Sequence, residues 1–146
     1  MISRTERAEL FKTAGMTLLG EAWEVAGVTP ENATRSVIHL DVRPDVRVDH
    51  ETADSVARTE RIWWDIARDV GVLTDDDAFY LSPTCPGAFR LPWARVRTAV
   101  HGGFLRALWA EFGSLEFVAV CPTGSAVVGV FEEEGENWIV TSSSRP

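Results

Sequence analysis

Three apolar runs near the C-terminus, residues 115–121, 125–131 and 137–141, are separated only by Pro122-Thr123-Gly124 and by the glutamate-rich turn 132–136. Runs of that length rich in Val and Phe read as strands. Gaps so short leave only antiparallel pairing between neighbours, because a parallel connection needs a dozen or more residues. The last third of the chain is therefore expected to be a three-stranded antiparallel meander, and everything before it must pack on that sheet.

Upstream, residues 5–26 place Phe11, Leu18, Ala22 and Val25 at helical spacing, with Leu19 and Trp23 widening the stripe. That spacing predicts one amphipathic helix, weakened at Gly15 and Gly20 and ended by Gly27. Thr29-Pro30-Glu31 reads as an N-cap followed by proline at the first helical position, with about one turn after it. Residues 35–42 set Ile38, Leu40 and Val42 against Val37, His39 and Asp41, the alternation of a half-buried strand. Pro44 interrupts it, and Val46 with Val48 resumes an edge strand.

Asp49 or Thr52 can cap the next helix, which runs to Val70 with Val56, Trp63, Ala67 and Val70 on its apolar face and stops at Gly71. Residues 78–81 and 88–91 read as short strands around the loop 83–87. Pro92 then opens a further helix with Val96, Val100, Phe104, Leu108 and Phe112 in register, closed by Gly113. Helices early and strands late predict an α+β fold, with N-terminal helices on a mainly antiparallel sheet in a single domain spanning 1–146. Trp63, Val100, Leu108, Phe112, Phe117 and Val128 are the expected core.

The formal net charge is -8. It disfavours nucleic acid and an anionic membrane as partners and favours a basic protein. The charged stretch 1–10 lacks the apolar run of a signal peptide, which places the chain in the cytoplasm with its two cysteines as free thiols. Of the 14 basic residues only Lys12 is lysine, a bias expected of a GC-rich bacterial genome.

Residues 78–110 hold four arginines, His101, Trp93 and Trp109 without one carboxylate, flanked by Asp75, Asp76 and Asp77 before and Glu132, Glu133 and Glu134 farther on. If residues 92–112 are helical, Arg97 and His101 project from one side. Arg90, Trp93, Arg97, His101 and Trp109 then become a candidate site for a small anionic ligand, because guanidinium groups bind carboxylate or phosphate bidentately. The competing expectation is that these arginines pair with the neighbouring carboxylates on a solvated surface. Asp75, Asp76, Asp77, Glu132, Glu133 and Glu134 are the candidate surface for a basic protein, since clustered carboxylates steer such a partner.

Cys85 lies between two prolines, His39 and Asp41 share a strand face with His50 following, and residues 66–72 have the cadence of a helix-turn-helix. None meets its chemical requirement. Cys85 has no flanking nucleophile signature, the histidines match no metal spacing, and a recognition helix would open on three aspartates facing phosphate. No cofactor motif is present. An acidic, tryptophan-rich domain of this kind suggests a small bacterial protein-binding module, of the immunity or inhibitor type, that regulates a basic partner. The alternative is a small enzyme or metabolite-binding protein, with a homodimer compatible with it, whose Arg/His/Trp pocket holds an anion.

Overall fold

The computed structural model describes residues 2–39, 41–98 and 103–143. Seven strands, β1 (Met16–Ala22), β2 (Val46–Asp49), β3 (Phe79–Pro83), β4 (Trp93–Thr98), β5 (Phe117–Val120), β6 (Ala126–Glu133) and β7 (Glu136–Ser143), form one antiparallel sheet in the order β1-β4-β3-β5-β6-β7-β2. On one face lie α1 (Arg4–Thr13), α3 (Ser55–Asp69) and α4 (Phe104–Phe112), and on the other α2 (Pro30–Val37). The fold is α+β, with the β5-β6-β7 meander and the edge strand at Val46 and Val48 where the sequence predicts them.

Four elements differ from the sequence reading. The helix expected over 5–26 stops at Thr13, where Ala14 donates back to Leu10 and Gly15 takes a left-handed φ of 79°. The remainder is β1, whose pairing with β4 overrides the helical spacing. Of the strand expected over 35–42, Ile38, His39, Asp41 and Val42 belong to no helix or strand, Leu40 lies outside the described residues, and residues 35–37 are the end of α2. Thr29 caps that helix as anticipated, but it runs eight residues rather than one turn, because Ala33 and Val37, four apart, are both buried against the sheet. Ile38, expected inside, is exposed.

The helix expected over 92–112 is two elements, β4 and α4. Its apolar residues recur every fourth position, and four is an even number, so the same spacing satisfies a strand: Ala94 and Val96 face α3 and α4 while Trp93 faces α2. Residues 88–91, expected as a strand, contain instead a 3-10 turn at Ala88–Arg90. Val100, expected in the core, lies outside the described residues, and Phe112 is only partly buried.

Trp63 of α3 fills the centre of the larger core. Its ring centroid lies 5.1 Å from Phe79, 5.2 Å from Phe117 and 5.4 Å from Phe104, which ties two strands to α4. The adjacent Glu60 is buried and accepts from the backbone N–H groups of Gly103 (3.0 Å) and Leu105 (2.9 Å), capping α4 from a neighbouring helix. On the other face, Phe131 folds over Gly129 so closely that a Cβ there would meet its ring at 2.5 Å.

Trp63→Ala is therefore expected to cost ~3–5 kcal/mol and Gly129→Ala ~1–3 kcal/mol, the first by opening a cavity and the second by overpacking. Urea denaturation checks both. An unchanged midpoint for Trp63→Ala would contradict the packing described above.

Candidate functional site

The structure does not bring the expected anion-binding residues together. Trp93 is buried on the α2 side, its indole N–H donating to the Val28 carbonyl at 2.8 Å. Alternation along β4 sets Arg95 and Arg97 on that same side. Trp109 lies on α4, across the sheet from them. Arg97 is held by Asp76 at 2.6 Å and Arg95 approaches the same carboxylate at 3.7 Å. His101 lies outside the described residues. Arg90 lines a cleft of about 470 Å³ with Cys85, Phe89 and Thr34.

Asp76 also accepts from the Thr74 hydroxyl and the Ala78 N–H. The Thr74 bond first, and then Arg97, holds its carboxyl well below the usual carboxylate range. Cys85 and Cys121 are both free thiols. Burial pushes the Cys85 thiol up, against the pull of Arg7, so the group is kept from its nucleophilic form. At Cys121 burial also raises the thiol, but hydrogen bonds from Thr123 and Ser125 outweigh it and the net direction is down.

The two acidic clusters lie at opposite ends of the sheet. Tyr80, just after Asp75–Asp77, is level with Val120 and so with Val127 on β6. Glu133 is six residues farther along that strand, about 20 Å at ~3.3 Å per residue. At that far end Glu132, Glu133 and Glu134 are exposed, Glu133 pairs across the turn with Glu136, and Glu136 pairs with Asp49 on β2. Glu116 joins them by accepting from the Glu132 N–H at 2.9 Å. Among the described residues no arginine or lysine forms an ion pair with any of these six carboxylates. Arg47 on the same edge strand instead covers the Trp138 ring at 5.1 Å.

Beside this acidic end is a small cleft of about 270 Å³ lined by His50, Ser55, Trp109, Leu115, Glu132 and Asn137. Trp109 is 49% exposed. Asn137, 1% exposed, occupies a core position on β7 and is polar only at the cost of finding partners for its amide. It finds both. Its Nδ2 donates to Thr59 Oγ1 at 3.1 Å, and its Oδ1 lies 2.7 Å from His50 Nε2. Thr59 spends its hydroxyl proton on the Ser55 carbonyl at 2.7 Å, so its oxygen must accept, the amide orientation is fixed, and Oδ1 accepts from His50 Nε2–H. Nδ1 of a neutral His50 is thus left as an acceptor.

The sequence singled out Trp109 and Glu132 for different reasons and His50 as part of a set with His39 and Asp41. Nothing local linked His50 to Asn137, which is 87 residues away. Among the described residues no three His, Cys, Asp or Glu side chains group as metal ligands, and no helix is long and apolar enough to cross a membrane.

Burial, and then the charges on Glu132 and Glu133, raise the Glu116 carboxyl above its ordinary value despite the opposing backbone hydrogen bond. A raised folded-state value contributes stability below the unfolded value near ~4.3, and that contribution is lost as pH rises through the folded one. Glu116→Gln, which keeps an acceptor oxygen for the Glu132 N–H, is expected to melt above the wild type at pH 7, with the gap closing below about pH 4. Thermal melts across pH 3–8 check this. The chain matches no protein-family model, no curated protein and no solved structure.

Proposed function

We propose that the protein is a small bacterial cytoplasmic module of the immunity or inhibitor kind, which captures a basic protein partner at the acidic end of its sheet. One observation carries this reading: Asp49, Glu116, Glu132, Glu133, Glu134 and Glu136 gather beside exposed Trp109 without a cationic partner among the described residues. Like charges held together cost stability, and a cationic surface removes that cost on docking. Clustered charge raises the association rate, while a buried aromatic side chain supplies the affinity that rim charges do not. A homodimer through this end would set the patch against itself, so the partner is a different chain.

A second reading is favoured by the cleft at Arg90, Ser82, Thr84 and Cys85, whose 470 Å³ is within the range of small-ligand pockets. There an anionic metabolite would contact Arg90. Thermal shift with a panel of anionic metabolites, wild type against Arg90→Ala, tests it: a shift seen only in the wild type supports this reading.

The binding reading is tested by isolating the partner on immobilised protein and measuring its association rate. Reversing Glu133 and Glu134 to lysine is expected to slow association ~10-fold or more at low salt and to flatten its salt dependence. Asp75→Lys, at the far end of the sheet, serves as the control and leaves the rate within about twofold. An acidic partner, or a rate indifferent to the Glu133 and Glu134 reversal, overturns the proposal.

A further inference from the structure

We infer that the cleft under Trp109 is a socket for one guanidinium side chain, an arginine presented by the partner; the inference rests on the reading of the acidic end as a docking surface. Size is the first argument. At about 270 Å³ the cleft lies below the ~300–1,000 Å³ of pockets that enclose a whole small molecule, yet it admits a single long side chain.

The second argument is the polarity of what lines it. Glu132 contributes a carboxylate, and His50, with Nε2–H committed to Asn137, has only an acceptor to offer while neutral. One N–H of the Asn137 amide is spent on Thr59 and the Thr59 hydroxyl on the Ser55 carbonyl, which leaves the second amide N–H of Asn137 as the pair's remaining donor. Beside the Ser55 hydroxyl, which can accept as well as donate, and one amide N–H of Asn137, the cleft offers the Glu132 carboxylate and His50 Nδ1 as acceptors, and its one charged group suits a cation with five N–H donors. Trp109 adds a half-exposed aromatic surface on which a planar guanidinium stacks, a geometry that the compact ammonium of lysine does not share.

One feature opposes a cation. Ser55 and Val56, in the first turn of α3, also line the cleft, and that helix end carries about half a positive charge. Glu132 alone carries a full negative charge in the cleft, with Glu133, Glu134 and Glu136 on the adjoining turn. The balance is negative, and an anion entering here would meet Glu132 first.

The test uses Nα-acetyl-arginine amide as probe, followed by the indole N–H resonance of Trp109. Saturable titration in the millimolar range is expected, with Nα-acetyl-citrulline amide, the neutral analogue of the same shape, producing no saturable shift. Glu132→Gln should weaken the arginine probe about tenfold, the value of one charge-assisted contact. Trp23, also exposed but covered by Arg4, is the internal control and should not move. Equal response to citrulline, indifference to Glu132→Gln, or parallel movement of Trp23 sinks the socket. If the probe fails while the Glu133 and Glu134 reversal still slows the partner, the socket falls and the docking reading stands. If the probe binds and the reversal does nothing, the socket stands and the docking reading falls.

Discussion

The seating of Trp63 fixes α3, and α3 in turn places both walls of the cleft. Trp63 packs edge-on or tilted against Phe79, Phe104 and Phe117, so the helix cannot rotate without losing contacts to two strands and to α4. Its indole N–H finds no acceptor among the described residues, which shows that shape rather than polar chemistry holds it there. One helical turn earlier, Thr59 and Glu60 point in useful directions because Trp63 does. Thr59 anchors the Asn137 amide and through it His50, while Glu60 holds the first turn of α4 and so the helix that carries Trp109. Two walls from different parts of the chain thus depend on a single packing event.

The antiparallel meander was legible in the sequence because its turns are too short for any other connection. The helix that ends near Val70 and the edge strand at Val46 and Val48 were legible too, but three other stretches were not, and the reasons are specific. Residues 92–112 have apolar side chains at every fourth position, a spacing common to both periods, so only the partner strands β1 and β3 decide that the first half is extended. In α2 the apparent alternation of Val37, Ile38 and His39 was the fraying end of a helix whose buried pair is Ala33 and Val37. In β1 the bulge between Leu18 and Gly20 breaks the strand period and turns Glu21 inward to Arg7, which hid the strand behind a helical pattern.

The two acidic clusters looked alike as sequence and differ as chemistry. Asp76 is absorbed by Thr74, Arg97 and Arg95, so that part of the basic segment serves as an ion-pair network. Glu132, Glu133 and Glu134 stand about 20 Å away across the sheet, at ~3.3 Å per residue, and have no such partners among the described residues. Charge counting along the chain could not separate them, because the distinction depends on which strand end each turn occupies. Trp109 and Glu132 were both visible as candidates. Their junction with His50 and Asn137 was not, because it needs the pairing of β2 with β7.

An acidic end without ion pairs among the described residues also links binding to stability. Glu116 is kept part-buried beside Glu132 and Glu133, and its raised carboxyl value means that the folded chain holds this charge reluctantly at neutral pH. A partner that brings positive charge to this end lowers the cost of ionising Glu116, and by linkage the same interaction must stabilise the fold by an amount that grows with the logarithm of its affinity. Asp76 behaves oppositely: its depressed carboxyl stabilises the fold above the ordinary carboxylate value and loses that contribution as pH falls, with or without a partner. The two ends of one sheet therefore respond to a cationic surface in different ways, and only the end with unspent carboxylates gains from it.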